Sequence, residues 1–416
     1  MSFASSFSAL RHRNFRLLWL GQVFSTTGSM MQNAAVLWHV TQLVPEKDRP
    51  MALGAVGLVK LVPIVVFSLI GGVVADAVDR RQLMLVMQSL LTVFAAALAL
   101  LTFLHVEALW SIYLFTGLTS AATCFDGPAR QSMIPALVPK KDFPNAISLN
   151  TIHFQFASVA GPLIGGIVIA ILGEAWVYTL NAVSFLAVIW ALVRMRDVPQ
   201  RVGAKSDVSL RSAFEGLAFV FRSPMIRSTM LLDFFATFFS SATGLLPLFA
   251  QDILHVGALG YGFLSAAPAT GALLAGAFLV HASDRIDHRG RTLLWSVVAY
   301  GAATVLFGMS KSFLLTLACL AAIGAADMVS TVLRNIIRQL TTPDHLRGRM
   351  TSVNMIFFMG GPQLGELEAG VVASGFGAPF SVISGGIGCL IATAWIAAKT
   401  PALRRYRRDD PVLEAA

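Results

Sequence analysis

Five ionisable residues, Lys60, Asp233, Asp327, Glu366 and Glu368, lie inside long apolar runs of the sequence. Placing such a charge at the centre of a membrane helix costs ~2.5–3.5 kcal/mol on insertion scales, so each is a candidate for a proton relay, an ion pair or a transport pathway. Lys60 and Glu366 fall seven or eight residues from the ends of their runs, about 10–12 Å deep at helical rise. A second group of charges sits where apolar runs end. Gly71-Gly72 leads through Asp76 and Asp79 to Arg80 and Arg81, and Asp126 and Arg130 close a later run. A similar charged turn, carrying Asp284, Arg285, Asp287, Arg289 and Arg291, recurs about half the chain further on. Charges of this kind could latch one helix end to another, or simply be solvated charges that fix topology. Asp233 and Asp327 fit either a cation or proton site or a capped structural carboxylate. His39 and His153 read as packing histidines.

The elements that must hold these residues follow from composition. Of 416 residues, 56% are hydrophobic and 13% charged, and the mean hydropathy is +0.71. A soluble domain carries roughly 25% charged residues. The apolar runs supply about a dozen helices of ~20 residues, each long enough to cross ~30 Å of hydrocarbon. Within lipid only helices or closed barrels satisfy every backbone polar group, and the runs far exceed the ~10-residue strands of a barrel. The expected fold is therefore an all-α membrane protein. The net charge of +9 does not point to nucleic acid, because the basic residues are scattered between apolar runs. Cys124, Cys319 and Cys389 lie within apolar segments and read as small packing residues. The first apolar run is too long for a cleavable signal and is expected to remain as the first span.

A basic amphipathic lead over 1–15 precedes spans expected at 16–41, 52–75, 82–104, 108–126, 146–172 and 175–194. Apolar character then lapses, with an amphipathic surface helix expected over 210–221. Six further spans are expected at 226–250, 259–281, 291–310, 313–333, 350–373 and 379–398. This gives an N-terminal six-helix bundle (1–194), a linker (195–225), and a C-terminal bundle with a basic tail (226–416). Of 31 Lys and Arg, all but Lys47, Arg49, Lys60 and Lys311 fall on the side that holds both termini. The positive-inside rule makes that side cytoplasmic. The halves also align with each other: Arg130, Pro139, Ser148 and Asn150 match Arg334, Pro343, Ser352 and Asn354 at one constant offset. Gly161-Pro162 and Gly165 match Gly361-Pro362 and Gly365. An even number of spans per half makes the copies parallel repeats.

Five motifs in this order carry a family resemblance. They are Leu10-Arg-His-Arg-Asn-Phe-Arg-Leu-Leu-Trp-Leu-Gly-Gln22, Gly72-x-x-x-Asp76-x-x-x-Arg80-Arg81, Asp126-Gly-Pro-Ala-Arg130-Gln, Gly161-Pro162-x-x-Gly165-Gly166, and Pro343-x-x-x-Arg347-Gly-Arg349. Over its whole length the chain resembles the major facilitator superfamily, and within it the bacterial branch that contains the enterobactin exporter and the transmembrane secretion effectors. The resemblance implies twelve transmembrane helices in two pseudo-symmetric bundles that rock about a central cavity. It places Asp76 near the start of helix 11, with Arg80 bridging to Asp126 as a cytoplasmic latch. It also packs helices 2 and 11 together, so that Lys60 and Glu366 would form an outer tie released when Glu366 is protonated; a static structural pair is the rival. Ala77 and Asp79 depart from the family's loop motif, and only the Gly-Pro-x-x-Gly-Gly tail of the helix 5 motif is kept. In the second copy its last glycine is Glu366.

No glycine loop with Lys-Ser/Thr, no metal-ligand spacing and no nucleophile elbow is present in the sequence, so neither a nucleotide, a metal nor any cofactor is expected, and no enzyme activity. The expectation is a monomeric, proton-coupled exporter of small amphipathic molecules, siderophore-like or drug-like, in the bacterial inner membrane. Import of a nutrient or lysophospholipid, and a transport-inactive sensor or scaffold, are the alternatives.

Overall fold

The computed structural model describes residues 7–196, 220–221, 223–239, 242–282, 285–343, 347–408 and 410, and these are overwhelmingly helical. Twelve long helices follow in order. They are α1 (Arg13–Gln42), α2 (Arg49–Ala77), α3 (Arg80–Phe103), α4 (Leu109–Leu137), α5 (Phe143–Leu172) and α6 (Glu174–Arg194), then α7 (Pro224–Phe239), α8 (Gly257–Ala282), α9 (Arg289–Met309), α10 (Phe313–Thr341), α11 (Arg347–Phe376) and α12 (Ala378–Lys399). A short α13 (Pro401–Arg405) follows. The path of α7 is taken up again by a 3₁₀ turn (Ala242–Leu245), one α-turn (Leu246–Leu248) and a π-turn (Phe249–Ile253).

Nine spans among the described residues are long and apolar enough to cross a membrane. Helices α1, α4 and α11 are as long but more polar, and for α1 the packing shows why. Arg130 Nη1 donates to Gln22 Oε1 at 2.6 Å, Asn181 Nδ2 donates to Gln32 Oε1 at 2.7 Å, and Thr26 Oγ1 lies 3.4 Å from His153 Nε2. Polar side chains are tolerated at this depth because neighbouring helices supply their partners.

The duplication is visible in which helices touch. In the first half α1 packs against α4, α5 and α6, and α3 packs against α4 and α6. In the second half α7 packs against α10, α11 and α12, and α9 against α10 and α12. Adding six to each number in the first set gives the second. The fold is two six-helix pseudo-symmetric bundles.

By contact the chain forms two compact units. One holds Met1–Val44, Val59–Ser206 and Gly257–Ala266; the other holds Pro45–Leu58, Asp207–Val256 and Ala267–Ala416. Beyond a cut in the linker, the first turns of α2 thus belong to the second unit and the first turns of α8 to the first. In lipid no hydrophobic force drives helix on helix, so close packing of small residues must hold each unit together. In the first unit, a Cβ on Gly161 would stand 2.5 Å from Met30 Cβ, and one on Gly166 would stand 2.6 Å from Gly262 Cα. In the second, a Cβ on Gly385 would run into the carbonyl oxygen of Phe239, which ends the stacked aromatic ladder Phe235–Phe239 of α7.

Two boundaries differ from the sequence expectation in the same way. Helix α4 runs to Leu137 rather than 126, and α10 runs to Thr341 rather than 333. The extension of α4 passes through Pro128 and Pro135, residues that neighbouring helices allow a membrane helix to carry. Each extension carries an arginine that now belongs to a helix: Arg130 on α4, and Arg334 and Arg338 on α10. Most of the surface helix expected over 210–221 lies outside the described residues.

Candidate functional site

The charged turn of the first unit is built from local bonds. Asp79 caps α3, its carboxylate accepting from Arg81 N at 2.8 Å and Gln82 N at 3.2 Å. Arg81 reaches the last turn of α6, donating from Nε to Leu192 O at 2.8 Å and from Nη2 to Val193 O at 3.2 Å, where a cation meets the negative end of that helix. Arg80 Nη1 donates to Ser132 O at 3.1 Å, in the extension of α4. Asp126 is buried and accepts from Gln88 Nε2 at 2.9 Å. The expected Arg80–Asp126 bridge is therefore not among the described ion pairs: Asp126 has turned to the amide of α3. Asp76 lies in the last turn of α2, and its side chain falls outside the description. The steric demand for glycine is at Gly71, where a Cβ would collide with Cys124 O, whereas a Cβ on Gly72 would meet open space.

In the matching turn of the second unit, Asp284 lies outside the described residues, and Arg285 and Arg291 are exposed. The chain after α13 straps this turn. Gly290 N donates to Tyr406 O at 3.1 Å and Arg408 N to Asp287 O at 2.9 Å. Leu403 of α13 and Tyr406 of the strap are buried.

The densest buried charge in the second unit lies between α7 and α10. Arg334 Nη2 stands 2.9 Å from Asp233 Oδ1 and 3.6 Å from Asp327 Oδ1, and Arg338 Nη2 stands 4.0 Å from Asp233 Oδ2. Arg334 also donates to Thr331 Oγ1 at 2.8 Å, and Arg338 to Asn335 Oδ1 at 3.1 Å. Asp233, Arg334 and Arg338 are 3%, 1% and 3% exposed, while the Asp327 side chain is 46% exposed. Counted from Pro224 and back from Thr341, Asp233 and Arg334 lie about 10–14 Å inside their helices. The structure thus joins Asp233 and Asp327 and adds two arginines that sequence reasoning had placed outside the membrane. Their signal was available in the helical spacing of Asp327, Thr331, Arg334 and Arg338 along one face of α10.

This cluster has a counterpart in the first copy. Gln22 and Asp233 stand equally far beyond the first residues of their helices, Arg13 and Pro224. Gln22 receives the guanidinium of Arg130, the residue that aligns with Arg334. The same arginine-to-acceptor link is neutral at its receiving end in one half and charged in the other.

Of the remaining intramembrane charges, Lys60 Nζ donates to Asn33 Oδ1 of α1 at 2.6 Å. Glu366 occupies a slot with glycine on two sides. A Cβ on Gly57 would stand 2.8 Å from Glu366 Cβ, and one on Gly244 would stand 3.1 Å from Glu366 Cγ. Gly166 of α5, the counterpart of Glu366, meets a glycine backbone; in α11 that kind of contact falls one turn later, where a Cβ on Gly370 would stand 2.6 Å from Gly54 Cα. Glu368 is half-buried two residues on, at another face of α11.

The two histidines are held by side chains of the first unit. His39 is buried, with Nδ1 3.0 Å from Tyr178 Oη and Nε2 3.7 Å from Glu107. It lines a cavity of about 540 Å³ with Trp38, Gln42, Glu107 and Glu174. His153 is buried against Thr26.

A duplicated six-helix architecture with paired charges buried inside its helices defines a multi-pass membrane transporter of the major facilitator fold. Comparison with known proteins agrees with that class. The model of the transmembrane secretion effector family matches residues 4–410, and the chain belongs to that family. It is 28% identical over 351 residues to the enterobactin exporter EntS of Shigella boydii, covering 84% of this chain and 83% of that protein. An Escherichia coli enterobactin exporter EntS is 27% identical over the same share of each. Among solved structures, a bacterial homologue of the human lysosomal transporter Spinster, in an inward-facing and unoccupied conformation, superposes with a TM-score of 0.72 at 16% identity, over 94% of this chain and 98% of that one. A POT family transporter in complex with 5-aminolevulinic acid superposes with a TM-score of 0.74 at 12% identity, over 94% and 96%. These two likenesses concern the fold.

Proposed function

We propose that this protein is a proton-coupled exporter of small amphipathic molecules, siderophore-like or drug-like, working as a monomer by alternating access in the bacterial inner membrane with both termini in the cytoplasm. The observation that carries the coupling is Glu366. It is an acid within α11 packed against Gly57 and Gly244, whose missing side chains give the acid the volume it occupies. An intramembrane carboxylate is by default a relay candidate, and this one stands where the first copy keeps a packing glycine. Asp233 is paired with Arg334. The enterobactin exporters among the relatives support the outward direction and a siderophore-like cargo. The one-sided distribution of basic residues supports the orientation of the termini.

The cycle would use Lys60 and Glu366, and the charged turns at Gly72, Asp76, Arg80, Arg81, Asp126 and Arg130, and at Asp284, Arg285 and Arg291, as the elements that reset between states. The test is uptake of a catecholate siderophore and of lipophilic dyes into everted membrane vesicles bearing the protein. Uptake is expected to stop when a protonophore collapses the gradient, to be lost in Glu366→Gln, and to persist in part in Glu366→Asp. Uptake indifferent to the protonophore, or intact in Glu366→Gln, would refute the coupling. Uptake seen only in right-side-out vesicles would refute export.

A further inference from the structure

We propose that Arg334 and Arg338 form the anion-binding part of the substrate site, and that the transported molecule carries a carboxylate or an equivalent anionic oxygen. The inference rests on the transporter reading but not on its coupling ion. Three guanidinium positions in the cluster, Arg334 Nε, Arg334 Nη1 and Arg338 Nη1, are buried with no hydrogen-bond partner among the described residues. Ser330 Oγ, one turn before Arg334, is buried in the same condition. Arginine cannot shed its proton, so these donors stay charged and need an acceptor. The acceptors at hand leave that demand unmet: Asp233 Oδ1, although 2.9 Å from Arg334 Nη2, has no hydrogen-bond partner of its own among the described residues. Asp233 faces both arginines, and Thr331 and Asn335 each receive one N–H.

Charge points the same way. The fully buried members are two guanidinium groups and one carboxylate, and the second carboxylate, Asp327, has 46% of its side chain exposed. The buried part of the cluster is therefore short of one negative charge, and its remaining acid, Asp327, is half-exposed. A planar anionic oxygen pair fits a guanidinium fork by two parallel bonds, a match that neither a cation nor a neutral amide can make. An anionic lipid headgroup would offer the same chemistry as a free solute, so the experiment separates the two.

The purified full-length protein in detergent would be titrated with three molecules sharing one aromatic skeleton: 1-naphthaleneacetate (anion), 1-naphthaleneacetamide (neutral) and 1-naphthylmethylamine (cation). The readout is the thermal midpoint. Only the anion is expected to raise it at millimolar concentration. Arg338→Gln should weaken that effect about tenfold, the loss expected for one charge-assisted hydrogen bond. Arg338→Lys should restore part of it, and Lys140→Gln, at an exposed position of the other unit, should leave it unchanged. If Arg338→Gln does not fold, Ser330→Ala and Arg338→Lys carry the same comparison. Equal stabilisation by the amide or the amine, no response to any probe, or an anion effect that survives Arg338→Gln would each overturn the assignment. A response to phosphatidylglycerol without one to 1-naphthaleneacetate would overturn it too, by assigning the arginines to lipid. Failure of the protonophore experiment would leave this result standing, and the reverse also holds.

Discussion

Removing both partners of the Asp233–Arg334 pair should cost clearly less than the sum of removing each alone. The two groups approach to 2.9 Å and are almost wholly buried. For charge centres ~4 Å apart at an effective dielectric of ~20, the attraction is about 4 kcal/mol. Breaking a buried pair from one side strands the other charge and costs about 3–5 kcal/mol. Arg334→Gln leaves Asp233 with only the more distant Arg338, at 4.0 Å. Asp233→Asn leaves two buried cations facing one half-exposed acid. The double variant Asp233→Asn/Arg334→Gln leaves neither charge stranded, so its loss should fall short of the sum of the singles by about 2–4 kcal/mol. The assay is reversible unfolding by SDS titration in mixed micelles, followed by far-ultraviolet circular dichroism for all four proteins. A coupling energy within ~0.5 kcal/mol of zero would mean that the sites are independent, and would refute the description of Asp233 and Arg334 as a buried ion pair.

Gly57→Ala should cost about 1–3 kcal/mol by overpacking, because the new methyl would stand 2.6 Å from Gln363 O and 2.8 Å from Glu366 Cβ; Glu366→Ala keeps both atoms, so Gly57→Ala/Glu366→Ala should be no more SDS-resistant than Gly57→Ala, and full relief in the double variant would refute this contact. Gly71→Ala should impair folding, measured as monodisperse yield in detergent, while Gly72→Ala should behave like the parent, because only the first position abuts Cys124 O. Gly290→Ala should free the strap after α13, since the new methyl would occupy the place of Leu403 O. Trypsin cleavage after Arg404 and Arg405 should then become faster, and unchanged cleavage would show that the strap does not depend on that contact.

The helices and their duplication were legible because lipid imposes one requirement on every span: length and apolarity. What escaped was the far end of two helices. Arg334 and Arg338 are strongly polar, and polarity in a membrane chain reads as loop, so α10 was expected to stop at 333. The same error shortened α4, whose Pro128 and Pro135 look like terminators when neighbouring helices are out of sight. Spacing carried the correct answer, because residues 327, 331, 334 and 338 fall on one helical face and a loop has no reason to keep that period. The Arg80–Asp126 bridge is absent from the described ion pairs for a different reason. Sequence shows which charges share a depth but not which uncharged groups stand nearer, and Gln88 and the Ser132 carbonyl claimed the two partners first.

The two copies show how one frame came to hold unlike chemistry. Each sends an arginine from its fourth helix to an acceptor at the same position of its first. In the N-terminal copy that acceptor is Gln22, held at 2.6 Å. In the C-terminal copy it is Asp233, joined by a second arginine and a second acid. The fifth helix of each repeat carries Gly-Pro-x-x-Gly, but only the first continues with the packing glycine, Gly166. The second has Glu366 there, matched by Gly57 and Gly244 across from it. An acid cannot replace a buried glycine unless its neighbours give up volume, and both neighbours here are the residue that gives up most. The backbone plan is thus kept by the small residues common to both halves, while the acids well inside the long helices are divided unequally, Asp126 standing in the first half and Asp233, Asp327, Glu366 and Glu368 in the second.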